Sequence, residues 1–209
     1  MEHKHIKFTA EGLSFEGILS HSTESEENPV AVLCHPHPLR GGNMDNNVIT
    51  EVAVALDDAS IPNLRFNFRG VGNSEGVHSE GELEYQEILG AQKYVLSNER
   101  LPAKELFTVG YSFGSRVILS TSEVIELTSK LVLISPHTDA VTASYLKTLN
   151  IPVLIISGSK DHICSPSVLK EYFDGYSDNI EIHEVDGADH FWMGYSQQLT
   201  EKIVNHLMS

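Results

Sequence analysis

Two stretches of the chain read Gly-x-Ser-x-Gly: Gly110-Tyr111-Ser112-Phe113-Gly114 and Gly72-Asn73-Ser74-Glu75-Gly76. On a sharp turn from strand to helix, such a serine presents its hydroxyl as a nucleophile, and the N–H of the next residue faces the oxygen that becomes charged. A serine hydroxyl is unreactive at neutral pH, so this chemistry also needs a histidine to take the proton and an acid to orient that histidine. With 15 glycines in the chain the pentapeptide is a weak signal, and its surroundings must separate the two copies.

Ser112 follows the apolar run Leu106 to Tyr111 without a gap and precedes Phe113, Val117 and Ile118, a helical face. Glycines on either side suit a turn too tight for side chains, and a helix N-terminus beneath the serine favours a nearby oxyanion. Ser74 instead sits several residues past its strand, with no helix expected until about Glu82, and Glu75 would set a carboxylate beside the developing negative charge. Ser112 is therefore the expected nucleophile.

Eleven histidines compete for the role of base. In open α/β sheets functional groups lie on loops at the carboxyl ends of strands, and with the chain order serine, acid, histidine the base follows a late strand. Ile180 to Val185 reads as the last strand and Asp186-Gly187-Ala188-Asp189-His190-Phe191-Trp192 as the loop beyond it, which makes His190 the expected base. His183 lies within that strand and His206 on the last helix, where structural roles are expected. The strand Val153 to Ile156 runs into Ser157-Gly158-Ser159-Lys160-Asp161-His162, placing Asp161 as the acid. Asp139 is its rival, while Asp186 and Asp189 stand too close to His190 in the chain.

Two backbone N–H groups must receive the oxyanion: one from Phe113, the other from the loop His35-Pro36-His37-Pro38-Leu39-Arg40-Gly41-Gly42. Pro36 and Pro38 have no N–H, so His37 or Leu39 donates, and His37 is nearer the strand end. Tyr111, His137, His162, Phe191 and Trp192 are candidates for the pocket wall, each equally open to a core or rim role. His35, His37, His137 and His162 share one sheet edge. They lack HExxH or Cys/His spacing, so no metal and no cofactor is expected.

Continuous apolar runs at Val30 to Leu33, Leu106 to Val109, Leu131 to Ile134 and Val153 to Ile156 indicate strands covered on both faces, and Ile61 to Phe68 is another strand. Val48, Val52, Ala55 and Leu56, then Ile88, Ala91 and Val95, then Leu199, Ile203 and Leu207 repeat at helical spacing. Strand and helix in alternation predict a three-layer α/β fold with a parallel sheet. Ile6 and Phe8, then Leu13, Phe15 and Ile18, alternate across Glu11-Gly12 and predict an edge hairpin. The acidic stretch Ser22 to Asn28 reads as a solvated loop. Pro136 to Asn150 holds one short helix and no lid.

All 209 residues read as a single domain. With 14 basic and 29 acidic residues the net charge is −15, which disfavours nucleic acid and anionic membranes. Two cysteines without CxxC spacing, no apolar leader and no long apolar window predict a cytoplasmic protein with no membrane partner.

The His35-Pro36-His37-Pro38 loop, Arg65-Phe66-Asn67-Phe68-Arg69-Gly70-Val71-Gly72 and Gly110-Tyr111-Ser112-Phe113-Gly114 together resemble the α/β-hydrolase superfamily, in its small, lidless serine esterase or dienelactone-hydrolase-like branch. The resemblance covers nearly the whole chain. It implies an eight-stranded, mostly parallel sheet with helices on both faces, an antiparallel second strand, no cap domain, and a triad of Ser112, Asp161 and His190. Dienelactone hydrolases use a cysteine nucleophile, so Ser112 argues against that activity. The expected function is hydrolysis of small or short-acyl carboxylic esters through an acyl-enzyme. The expected partner is a small-molecule ester, and a homodimer is allowed for. Peptidase, amidase or thioesterase activity on the same triad, and a noncatalytic ligand-binding protein on the same fold, are the alternatives.

Overall fold

The computed structural model describes residues 1–22, 29–174 and 179–209. The acidic stretch after Ser22 lies outside the described residues. The chain opens with a hairpin, β1 (Glu2–Ala10) and β2 (Leu13–His21), turned by Glu11 and Gly12 at φ 48° and 79°. Two consecutive left-handed residues give the turn whose twist matches that of the flanking strands. Then follow β3 (Val30–Cys34), α1 (Asn47–Asp58), β4 (Asn63–Phe66), α2 (Tyr85–Leu96), β5 (Leu106–Tyr111), α3 (Phe113–Ile118) and α4 (Glu123–Glu126). The C-terminal half adds β6 (Lys130–Ile134), α5 (Thr138–Thr142), β7 (Val153–Gly158), α6 (Pro166–Tyr172), β8 (Ile180–Val185) and α7 (Ser196–Met208).

The eight strands form one sheet in the order β1-β2-β4-β3-β5-β6-β7-β8. β2 is antiparallel to both neighbours and β3 to β8 are mutually parallel. Order reverses at β3, where the chain leaves for β4 on one side and returns as β5 on the other. The carboxyl ends of β3 and β5 flank that switch point, where ligands bind in open α/β sheets.

The apolar runs are continuous because both faces are covered. Val30, Val32 and Cys34 point into the cluster formed with α2, α3, α4 and α6, whereas Ala31 and Leu33 point into the one formed with α1 and α7. Successive side chains of a strand alternate faces, so a central strand needs apolar residues at every position. Each buried Leu, Val, Ile or Phe contributes roughly 1.5–3 kcal/mol against exposure. α1 is set by Asn46, whose Oδ1 accepts the Val48 N–H at 3.0 Å.

The expected elements are present, with some boundaries moved. α2 starts at Tyr85 rather than near Glu82, and β4 is shorter than Ile61 to Phe68. The segment between β6 and β7 carries α5 and a 3-10 turn at Leu146–Thr148, where one short helix was expected, and no cap. No helix among the described residues is long and apolar enough to cross a membrane.

Candidate active site

The turn from β5 into α3 is built by its glycines and strained at its serine. Ser112 adopts φ 52° and ψ −108°, a region that L-residues rarely occupy and that costs on the order of 1–3 kcal/mol. Its N–H donates to Ile134 O at 2.9 Å and its carbonyl accepts the Arg116 N–H at 3.1 Å, so sheet and helix both hold it. A Cβ on Gly114 would lie 2.3 Å from Cys34 O, and one on Gly110 would lie 2.7 Å from Ser115 N. Without side chains at these two positions α3 packs directly on β3 and lifts the hydroxyl above the strand ends.

Ser112 Oγ lies 3.0 Å from His190 Nε2, and His190 Nδ1 lies 3.0 Å from Asp161 Oδ2. The loop after β7 supplies Asp161 and the loop after β8 supplies His190, which brings together residues far apart in the chain. An ionised carboxylate only accepts, so Nδ1 carries the ring proton and Nε2 is left to accept from the serine hydroxyl. Asp161 is nearly fully buried. Burial alone would raise its carboxyl, but hydrogen bonds from His190, the Cys164 N–H and Ser135 outweigh it and hold the group below the usual carboxylate range. The Ile163 and Cys164 N–H groups donate to its Oδ1 at 2.9 and 3.0 Å. Asp139 is exposed, with Oδ1 4.0 Å from His137 Nδ1. Asp186 accepts from Ser159, and Asp189 accepts the Phe191 N–H.

The two oxyanion candidates line one cavity of about 530 Å³ with Ser112 and His190. Among the described residues the His37 and Phe113 N–H groups have no partner, whereas the Leu39 N–H is taken by His37 Nδ1 at 3.3 Å. His37 thus occupies its neighbour's donor and leaves its own open. The His37 and Phe113 rings lie 4.9 Å apart.

Tyr111, His137 and Phe191 also line the cavity. Tyr111 donates from its hydroxyl to His190 O at 2.7 Å, and burial pushes its proton affinity up. His137 is held below the ordinary histidine range, first by burial and then by Arg116 and His190 against Asp139. Two residues expected in the wall are elsewhere. His162 is exposed outside the lining, because the turn that points Asp161 inward carries its neighbour out. Trp192 lies in the core at 1% exposure, turned there by a φ of 61°, and its indole N–H donates to Ser135 Oγ at 3.1 Å. Ser135 in turn bonds Asp161, so Trp192 reaches the site through the acid.

Sequence reasoning missed Arg40, Asn46, Arg116 and Ile163, which line the same cavity. Arg116 could have been found, since it stands four residues after Ser112 on the same helical face.

The histidines weighed for a metal do not gather. His35 donates from Nδ1 to Pro36 O at 2.7 Å and accepts the Phe68 N–H on Nε2 at 3.1 Å, so both nitrogens are spent, and burial pushes its proton affinity down to about 4. A different trio, His37, His78 and Glu80, has ligand atoms within 4.8 Å of one another. His37 accepts on Nδ1, which leaves the proton on Nε2, the nitrogen 3.7 Å from Glu80, so ligation there would require the other tautomer and the loss of the Leu39 bond.

The family profile described as alpha/beta hydrolase domain matches residues 29–206. An uncharacterised protein of Rickettsia prowazekii is 29% identical over 193 residues, covering 88% of this chain and 81% of that one. Among solved structures, an alpha-beta serine hydrolase homologue from Coxiella burnetii is 27% identical, with a TM-score of 0.85 over 99% of this chain and 98% of its own. A lidless a/b serine hydrolase from Xanthomonas campestris, 23% identical with a TM-score of 0.84 over 100% and 94% of the two chains, shares the fold.

Proposed function

The chain belongs to the alpha/beta hydrolase family, and we propose that it is a serine hydrolase cleaving carboxylic esters of small acyl substrates through an acyl-enzyme. The observation that carries this reading is the hydrogen-bonded chain from Ser112 through His190 to Asp161, opening onto a cavity beside two free N–H groups.

Ser112 Oγ attacks the ester carbonyl carbon while its proton passes to His190 Nε2. The carbonyl oxygen takes the negative charge and receives the His37 and Phe113 N–H groups, donors that need no reorganisation. Asp161 keeps the ring oriented and stabilises the imidazolium. His190 then protonates the leaving alkoxide as the C–O bond breaks, and the alcohol departs. Water attacks the acyl-enzyme, gives its proton to His190, and the acid leaves as Ser112 recovers its proton. An open site with no cap offers little remote binding energy to strain a resonance-stabilised amide, which favours the more reactive ester.

Intact-mass analysis after a fluorophosphonate probe, with mapping of the adduct, tests the nucleophile. Labelling at Ser112 that disappears in His190→Ala is expected, together with faster cleavage of an aryl acetate than of the matching anilide or acyl-CoA. A folded protein that takes no label would overturn the reading. We further propose one domain across residues 1–209 and a cytoplasmic location, which suits two free, buried cysteines.

A further inference from the structure

Arg40 and Arg116 stand out among the residues around Ser112. Both side chains are exposed, and both line the cavity that holds Ser112 and His190. Among the described residues neither guanidinium has a hydrogen bond or an ion pair, in a chain with 29 acidic residues against 14 basic ones. Of the other three arginines, Arg65 pairs with Asp45 at 3.1 Å and Arg69 with Glu87 in the core, while Arg100, exposed and equally without a partner among the described residues, lines a different cavity. Acidic groups stand near without pairing: Glu80, Glu82 and Glu123 line a neighbouring cavity with Arg116, where Glu80 faces His37 and His78, and Asp139 faces His137.

Their placement ties them to the reaction. Arg116 lies on α3 four residues beyond Ser112, whose carbonyl takes its N–H, and Arg40 ends the 3-10 turn Pro38–Arg40 that follows His37. Each of the two segments offering a free N–H to an oxyanion therefore also carries one unpaired guanidinium. Both are felt at the site: burial first, then His78, then Arg40 and Arg116 lower the proton affinity of His37 against the opposing Glu80. Across the cavity Tyr111, Ile163 and Phe191 supply apolar surface.

Resting on the ester-hydrolase reading, we propose that Arg40 and Arg116 form a carboxylate subsite and that the substrates are esters bearing a free carboxylate on a short apolar body. A planar fork of N–H donors matches a carboxylate in two parallel bonds, and with no partner in the chain it is free to do so. The −15 background repels anions at long range, so the two guanidinium groups also supply the local positive charge that such a substrate needs on arrival.

The test compares ester pairs in which a carboxylate replaces a neutral group at the same position. para-Nitrophenyl hydrogen glutarate against para-nitrophenyl pentanoate places the carboxylate on the acyl half, and para-acetoxybenzoate against para-acetoxybenzamide places it on the leaving half. In one of these arms kcat/KM is expected to favour the acid by about tenfold, the worth of one charge-assisted pair. That ratio should fall toward one in Arg40→Gln and Arg116→Gln, and further in the double variant. Both acids being cleaved no better than their neutral partners, or a preference surviving in the double variant, would overturn the subsite while leaving the ester reading intact. If no ester is cleaved and Ser112 takes no label, the ester reading fails, and calorimetric titration with glutarate decides the subsite. Binding to the native protein and not to the double variant would sustain it, and no binding would end it.

Discussion

The two Gly-x-Ser-x-Gly segments have the same residue pattern and the same depth, with Ser112 and Ser74 each 7% exposed, yet their environments share almost nothing. Ser112 is held at a left-handed φ between a strand and a helix, with its hydroxyl against His190. Ser74 lies in a loop, where its hydroxyl donates to Asn67 O at 2.7 Å and accepts the Glu16 N–H at 3.2 Å. Glu75, which beside a nucleophile would oppose an oxyanion, accepts the Ser14 N–H at 2.8 Å and stitches the loop to β2. One serine has its oxygen aimed at a base and the other has it spent on two backbone groups. The two hydroxyls thus differ in what they are bonded to, and neither burial nor flanking glycines distinguish them.

The sharpest way to break this comparison is to remove each hydroxyl in turn. Ser112→Ala is expected to lower kcat on an aryl ester by about 10⁶-fold, as loss of the nucleophile does in serine hydrolases. Equal losses from Ser112→Ala and Ser74→Ala would end the distinction. Asp161→Asn comes next, with a fall of roughly 10⁴-fold, because an amide donating to Nδ1 puts the ring proton on Nε2 and blocks the serine. An Asp161→Asn variant that keeps its activity, with the loss appearing only in Asp139→Asn, would make Asp139 the acid.

The meeting of Ser112, Asp161 and His190 was legible because strand ends are legible. Continuous apolar runs mark β3, β5, β6 and β7, and the loops just past β7 and β8 each offer a carboxylate or an imidazole at the edge where Ser112 emerges. Side-chain direction within those loops has no periodicity to read. Trp192 looks like a wall residue beside Phe191, but the backbone turns at a φ of 61° and sends the indole to Ser135, whose own role no motif announces. His162 follows Asp161 and faces outward for the same reason. The order serine, acid, histidine can be read along the chain, whereas the Ser135 contact linking Trp192 to the acid is a tertiary event.

His35 carries the comparison into stability. It follows directly on β3, the strand that Gly114 of the serine turn packs against, and holds the Phe68 N–H, where the chain enters the loop of Ser74, so its neutral ring joins the two regions. Its proton affinity is pushed down to about 4 by burial, while the unfolded chain titrates near 6.5. The unfolded state therefore takes up the proton first. Stability is fully present above about pH 6.5 and is lost as the pH falls toward 4, by about 3 kcal/mol over that window. Urea unfolding of the native protein and of His35→Gln at several pH values checks this. The variant should be less stable at pH 7.5 yet show a flatter decline, and identical slopes would remove His35 as the cause.

The smallest expected effect isolates what the second serine is for. Ser74→Ala leaves the Asn67 carbonyl and the Glu16 N–H without their hydroxyl partner in a nearly dry loop, and an unsatisfied buried group costs roughly 1–3 kcal/mol. The Glu16 carboxylate still binds Asn67 and Asn73 at 2.7 to 2.8 Å, so the loop keeps most of its ties and folding should survive. The expected result is a lowered urea midpoint with kcat within about twofold of native, since no hydrogen bond of Ser112, His190 or Asp161 passes through Ser74. Ser74→Thr, which retains the hydroxyl, should recover part of the stability if its extra methyl is accommodated. A drop in kcat with no change in midpoint would reverse the reading, placing Ser74 in the chemistry and leaving the loop to be held by Glu16 and Glu75.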